Sequence, residues 1–123
     1  MSMSGSSSRA ILVVAVFGML AIGAGKSAPV TGKALYEREC AQCHGATGKG
    51  DGEESMYLTP APQDFTSGVL DKRSDEFLAA VIANGGEAKG LSKSMPAFHI
   101  LSKAEVKSLI AYIRQLGKEQ KAK

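Results

Sequence analysis

Apolar positions along the chain fall into one long block and three shorter helical patterns. Ala10 to Gly25 is an almost unbroken apolar and glycine run of 16 residues, preceded by Arg9 and a serine-rich start. Beyond it, the spacing predicts a helix over residues 31–44: Thr31 is suited to the N-cap, Leu35, Glu39 and Cys43 interleave with Tyr36 and Cys40 at helical intervals, and Gly45 ends it. A second helix runs from a Ser74 cap to Asn84. Asp75 and Glu76 complement the positive end of its dipole, Phe77, Leu78, Val81 and Ile82 form the apolar stripe, and Gly85-Gly86 stops it. The last helix is the most strongly marked. Ser102 and Glu105 make a capping box, and Leu101 and Val106 hold the two places of a hydrophobic staple. Val106, Leu109, Ile110, Ile113 and Leu116 then form one face, and Gly117 is placed to end it, leaving a lysine-rich tail to fray.

No segment alternates with period two, and no internal repeat is visible, so the expected class is all-α: three main helices joined by two long loops. The first loop, residues 45–68, holds four glycines by Gly52 and then Pro60 and Pro62; the second carries Met95 and Pro96. Loops this long in a compact domain are usually functional, and here they point to a chain wrapped around something.

The leading block divides the chain. A positive head, an apolar stretch and small residues at Gly23, Ala24 and Gly25 match a secretory signal, cut after Ala24 or Gly25. The competing reading is an uncleaved membrane anchor over residues 10–25, although 16 residues fall short of the roughly 20 that a bilayer span needs. The expected organisation is a leader at 1–25 and a domain at 26–123, periplasmic or otherwise exported, and soluble once the leader is removed. Such a domain, with a thin core, usually needs a staple.

Charge adds little. The 123 residues hold 15 basic and 12 acidic side chains, net +3; without Arg9 the balance is 14 against 12. The lysines are scattered with no basic, aromatic-interleaved stripe, which argues against nucleic acid.

Cys40 and Cys43 are the only cysteines. A disulfide closing so short a loop would restrain little chain entropy. Cys40-Ala41-Gln42-Cys43-His44 is a C-x-x-C-H motif, which reads as c-type haem attachment. The two thiols add to the two vinyl groups on one porphyrin edge, and His44 then lies beneath the iron and ligates it. A thioredoxin-type dithiol needs a βαβ context that is missing, and tetrahedral zinc needs four ligands where only His99 is left over. The candidates for a sixth iron ligand are Met56, Met95 and His99. Met56 lies only 12 residues past His44 and would have to cross the ring quickly. Met95 lies 51 residues on, beside a proline that stiffens its loop, and is the expected ligand; His99 reads as a surface residue.

With these motifs, residues 31–117 resemble class I c-type cytochromes, bacterial monohaem members in particular. Gly32 and Tyr36 sit eight and four residues before the first cysteine, where the family places a glycine and an aromatic that cross the C-terminal helix. Leu109 and Tyr112 look like the other half of that crossing, with the two tyrosines stacked. Met95-Pro96-Ala97-Phe98 is similar to the family's methionine-ligand loop, and the stretch from Leu58 to Phe65 resembles a loop in which one proline, Pro60 or Pro62, offers its carbonyl to His44 Nδ1. The resemblance implies the cytochrome c fold, three main helices around one covalently bound haem c.

It also implies a monohaem electron carrier of a respiratory chain rather than an enzyme. His44 and Met95 ligate the iron, a donor and an acceptor dock transiently at the exposed haem edge, and the protein is a monomer. A haem subunit fixed in a dehydrogenase or terminal oxidase is the alternative reading. An enzyme or gas sensor would require that Met95 not ligate. Lys49, Lys89 and Lys93 flank the two loops as steering charges, unless they are ordinary solubilising lysines.

Overall fold

A computed structural model describes residues 1–3, 25 and 27–123. The stretch read above as a leader, with its expected cut after Ala24 or Gly25, lies almost wholly outside the described residues. Among those described there is no strand, and no helix is long and apolar enough to cross a membrane.

Among the described residues four α-helices form the frame: α1 (Gly32–Glu39), α2 (Ala41–His44), α3 (Asp75–Asn84) and α4 (Lys103–Lys121). Short 3₁₀ turns at Glu53–Tyr57, Phe65–Ser67, Val69–Lys72 and Glu87–Lys89 fill out the two connections. The caps fall where the side chains place them. Thr31 Oγ1 accepts from Ala34 N at 3.1 Å and Ser74 Oγ from Phe77 N at 3.1 Å. Both halves of the Ser102–Glu105 box are made, at 3.3 and 2.8 Å. Each such cap contributes about 1 kcal/mol.

Three expectations are corrected. The first helix does not run unbroken over 31–44; it breaks at Cys40, which caps α1 and starts α2 with φ −117° and ψ −36°. No glycine or proline marks the break. The chain beyond is tied elsewhere: the buried Tyr36 hydroxyl donates to the Gly45 carbonyl at 2.7 Å, while Gly50 N and Gly52 N reach the carbonyls of His44 and Cys43. The long first loop is likewise not structureless, since two of the 3₁₀ turns lie wholly within it.

Nor does α4 end at Gly117. It continues to Lys121, whose ammonium meets Asp71 at 2.6 Å. Gly117 is there for clearance: a Cβ on it would come within 2.8 Å of the Phe65 carbonyl. A glycine that lets another backbone approach looks, in sequence, like a glycine that stops a helix.

The core is one cluster at the crossing of α1 and α4. Leu35, Tyr36 and Leu109 are sealed from solvent, and Val106, Ile110, Ile113 and Leu116 complete the buried face of α4. A Cβ on Gly32 would overlap the Ser108 carbonyl, so the helices cross backbone to backbone at this glycine. Tyr36 and Tyr112 meet there at 5.4 Å, tilted by 58° rather than stacked, a favourable aromatic geometry. Arg114 ties α4 to the chain before α3. Its guanidinium donates to the carbonyls of Leu70 and Arg73 at 2.9 and 2.7 Å and to Asp75 Oδ1 at 2.7 Å.

Candidate haem site

The break at Cys40 brings Cys40, Cys43 and His44 onto the wall of one cavity of about 780 Å³, within the range of ligand pockets. The first long connection contributes Leu58, Pro60, Pro62, Gln63 and Phe65 to the lining. The second contributes Leu91, Met95 and Phe98, and the helices add Ile82 and Ile113. The surface is mostly apolar, as suits a flat hydrophobic macrocycle.

Met95 is placed by glycines. A Cβ on Gly86 would overlap the Ser92 carbonyl, and one on Gly85 would sit 3.1 Å from the Met95 carbonyl. The pair that ends α3 therefore also lets the methionine loop lie against it, with Gly86 N donating to Met95 O at 3.1 Å and Phe98 N to Ile82 O at 2.8 Å. Met56 is 77 % exposed and takes no part in the lining; His99 is exposed as well and lines nothing. Lys49, Lys89 and Lys93 are exposed near the two loops and are not part of the cavity wall.

His44 Nδ1 lies 3.0 Å from the carbonyl of Gln63. A carbonyl only accepts, so Nδ1 carries a proton, and in the neutral ring Nε2 then keeps a free lone pair. The acceptor is neither Pro60 nor Pro62, contrary to expectation. Gly50 packs against the Pro62 carbonyl, where a Cβ would overlap it, and the next carbonyl along turns to the imidazole. Burial lowers the His44 pKa from its ordinary value, and the Gln63 bond opposes that shift. Both act on the imidazolium, and burial prevails, which favours the neutral ring that a metal requires. Burial, then Glu39 and Cys43, push the free Cys40 thiol up to about 12. A thiol held so firmly in its protonated form is a poor dithiol redox catalyst.

A sequence profile of cytochrome c matches residues 29–117, most of the chain and all four helices but the end of α4. The chain belongs to the cytochrome c family. A comparison with curated proteins finds no match. Members of the family bind covalently attached haem c and are typically electron carriers rather than enzymes. The cytochrome described here has the parts to hold that group: two thiols three residues apart on one cavity wall, and an imidazole bonded through Nδ1 and a thioether lining the same apolar space.

Sequence reasoning missed two contributors. Gln63 acts through its backbone, so its side-chain type carries no signal. Phe65 stacks on His44 with ring centroids 4.5 Å apart and planes inclined by 16°. It belongs to no periodic pattern, and only a tight turn brings it to the histidine.

Proposed function

We propose that this cytochrome is a monohaem carrier of single electrons, in which His44 and Met95 would hold the iron. The observation that carries the reading is the company of Met95: of the methionines beyond the leader, it lines the cavity with Cys40, Cys43 and His44, while Met56 faces solvent. When bound, the haem supplies a metal that gains and loses one electron. The chain's own residues do the rest. Cys40 and Cys43 retain the group, Gln63 orients His44 and raises its basicity, and the apolar wall from Ile82, Phe98 and Ile113 limits solvent reorganisation.

With His44 and Met95 both holding the iron, the group would offer no open position to an inner-sphere substrate. Donor and acceptor are redox proteins that dock transiently beside the cysteines. The turn Glu53–Tyr57, packed on α2, there presents exposed Met56 and Tyr57 as a small apolar contact. The signal-like stretch at residues 10–25 supports a place outside the cytoplasm.

The test is optical and chemical. Met95→Ala removes the far-red sulfur-to-iron band of the oxidised protein and lowers the reduction potential, while Met56→Ala changes neither. The untreated reduced protein does not bind carbon monoxide. The opposite pattern in the two variants, or rapid stoichiometric carbon monoxide binding, refutes the proposal.

A further inference from the structure

His44 is held by two contacts of different kinds from one short segment. The Gln63 carbonyl takes the Nδ1 proton at 3.0 Å, and Phe65, two residues on, lays its ring against the imidazole face at 4.5 Å. The hydrogen bond anchors one ring atom but tolerates a broad range of angles, and the terminal torsion of a histidine side chain is itself broad. A single bond therefore leaves the imidazole plane free to swing. A nearly parallel aromatic face removes that freedom and covers the face of the imidazole beside that bond from water.

Phe65 is wedged in turn. Its N–H donates to Gly48 O at 2.7 Å. A Cβ on Gly48 would lie 3.2 Å from the Phe65 ring, and one on Gly117 would lie 2.8 Å from the Phe65 carbonyl. Asp64 closes the turn, accepting from Thr66 N and Thr66 Oγ1, both at 2.7 Å. Phe65 therefore cannot shift unless the glycine loop after α2 or the C-terminal part of α4 shifts with it.

We propose that Phe65 is the positioning residue for His44: it sets the plane of the imidazole and shields its bond to Gln63, a role that rests on the reading of His44 as an iron ligand. Two glycines far apart in sequence leave it room: Gly48, which also sits at φ +76° against Leu116, and Gly117, which clears the Phe65 carbonyl. The last helix thereby reaches the ligand through one aromatic ring.

The experiment uses the intact haem-loaded protein with Phe65→Leu, which keeps apolar bulk without a flat face, and Phe65→Tyr, which keeps the face. One readout is solvent exchange of the His44 Nδ1 proton by NMR in the reduced protein. The other is the spread of g-values in the electron paramagnetic resonance spectrum of the oxidised protein, which follows the ligand plane. Phe65→Leu is expected to exchange about tenfold faster, the upper range of what an aromatic pair contributes, and to shift the g-values. Phe65→Tyr restores both. A purely structural role would lower the unfolding midpoint and leave both readouts alone.

Wild-type values in a folded Phe65→Leu protein overturn the proposal. Should the leucine protein not fold, the wild type decides: a slowly exchanging Nδ1 proton with a Phe65–His44 ring Overhauser contact supports it, and lack of either overturns it. If the His44 ring signals show no iron-induced shift in the oxidised wild type, the ligand reading itself has failed, a result distinct from any change at Phe65.

Discussion

Gly32→Ala sets two effects of opposite sign against each other at the crossing of α1 and α4. Alanine is the better helix former, and an exposed interior Gly→Ala exchange gains at most about 1 kcal/mol, less at the first helical residue. The new Cβ would overlap the Ser108 carbonyl oxygen and stand 2.5 Å from its carbon and 3.0 Å from Leu109 N. Comfortable heavy-atom separations are roughly 3.5–4.0 Å, so relief needs the helices to part by about 1.5 Å. That gap forfeits about half or more of the dispersion energy of each contact across it, and the contacts are those of Leu35, Tyr36 and Leu109, all sealed from solvent.

Overpacking of this kind costs about 1–3 kcal/mol and outweighs the propensity gain, leaving a net loss of about 1–2 kcal/mol. For a domain of this size each kcal/mol is about 4–8 °C, so the midpoint should fall by roughly 4–16 °C. The assay is thermal unfolding of the haem-loaded protein followed by far-UV circular dichroism. Lys33→Ala, on the exposed side of the same helix, serves as the control and should stay within about 1 kcal/mol of wild type. An unchanged or raised midpoint for Gly32→Ala would show that the helices do not meet at this glycine, and the account of the core would fall.

Covalent attachment is expected to survive acidified acetone in the wild type, weaken in Cys40→Ala and Cys43→Ala, and vanish in the double variant; haem that extracts freely from the wild type contradicts the attachment. Glu105 gives a pH dependence. Its hydrogen bonds from Ser102, backbone first and then side chain, lower its pKa below the ordinary 4.5, so folding favours the carboxylate. Its contribution is complete above about pH 4.5 and is lost as pH falls through the depressed value. The midpoint difference between wild type and Glu105→Ala should therefore shrink on acidification; a constant difference would mean the charge of the capping box is irrelevant.

The sequence by itself determined what depends on neighbours a few residues apart. The caps at Thr31, Ser74 and Ser102, the apolar stripe of α4 and the attachment motif at Cys40–His44 are local patterns, and each lies where its spacing places it. The crossing of Gly32 with α4 was legible only through the resemblance to c-type cytochromes, which place a glycine and an aromatic eight and four residues before the first cysteine.

Tertiary structure decided what depends on where a backbone is carried. The break at Cys40 has no breaker residue and comes from bonds that fix Gly45 and the carbonyls of Cys43 and His44. Gly117 looked like a stop and is a clearance for Phe65. The partner of His44 is the Gln63 carbonyl, because a carbonyl is the same on every residue and only the path of the loop selects which one faces the ring. Side-chain type and spacing encode helices and the haem-attachment motif; main-chain acceptors and close approaches carry no letter of their own and exist only once the chain has folded.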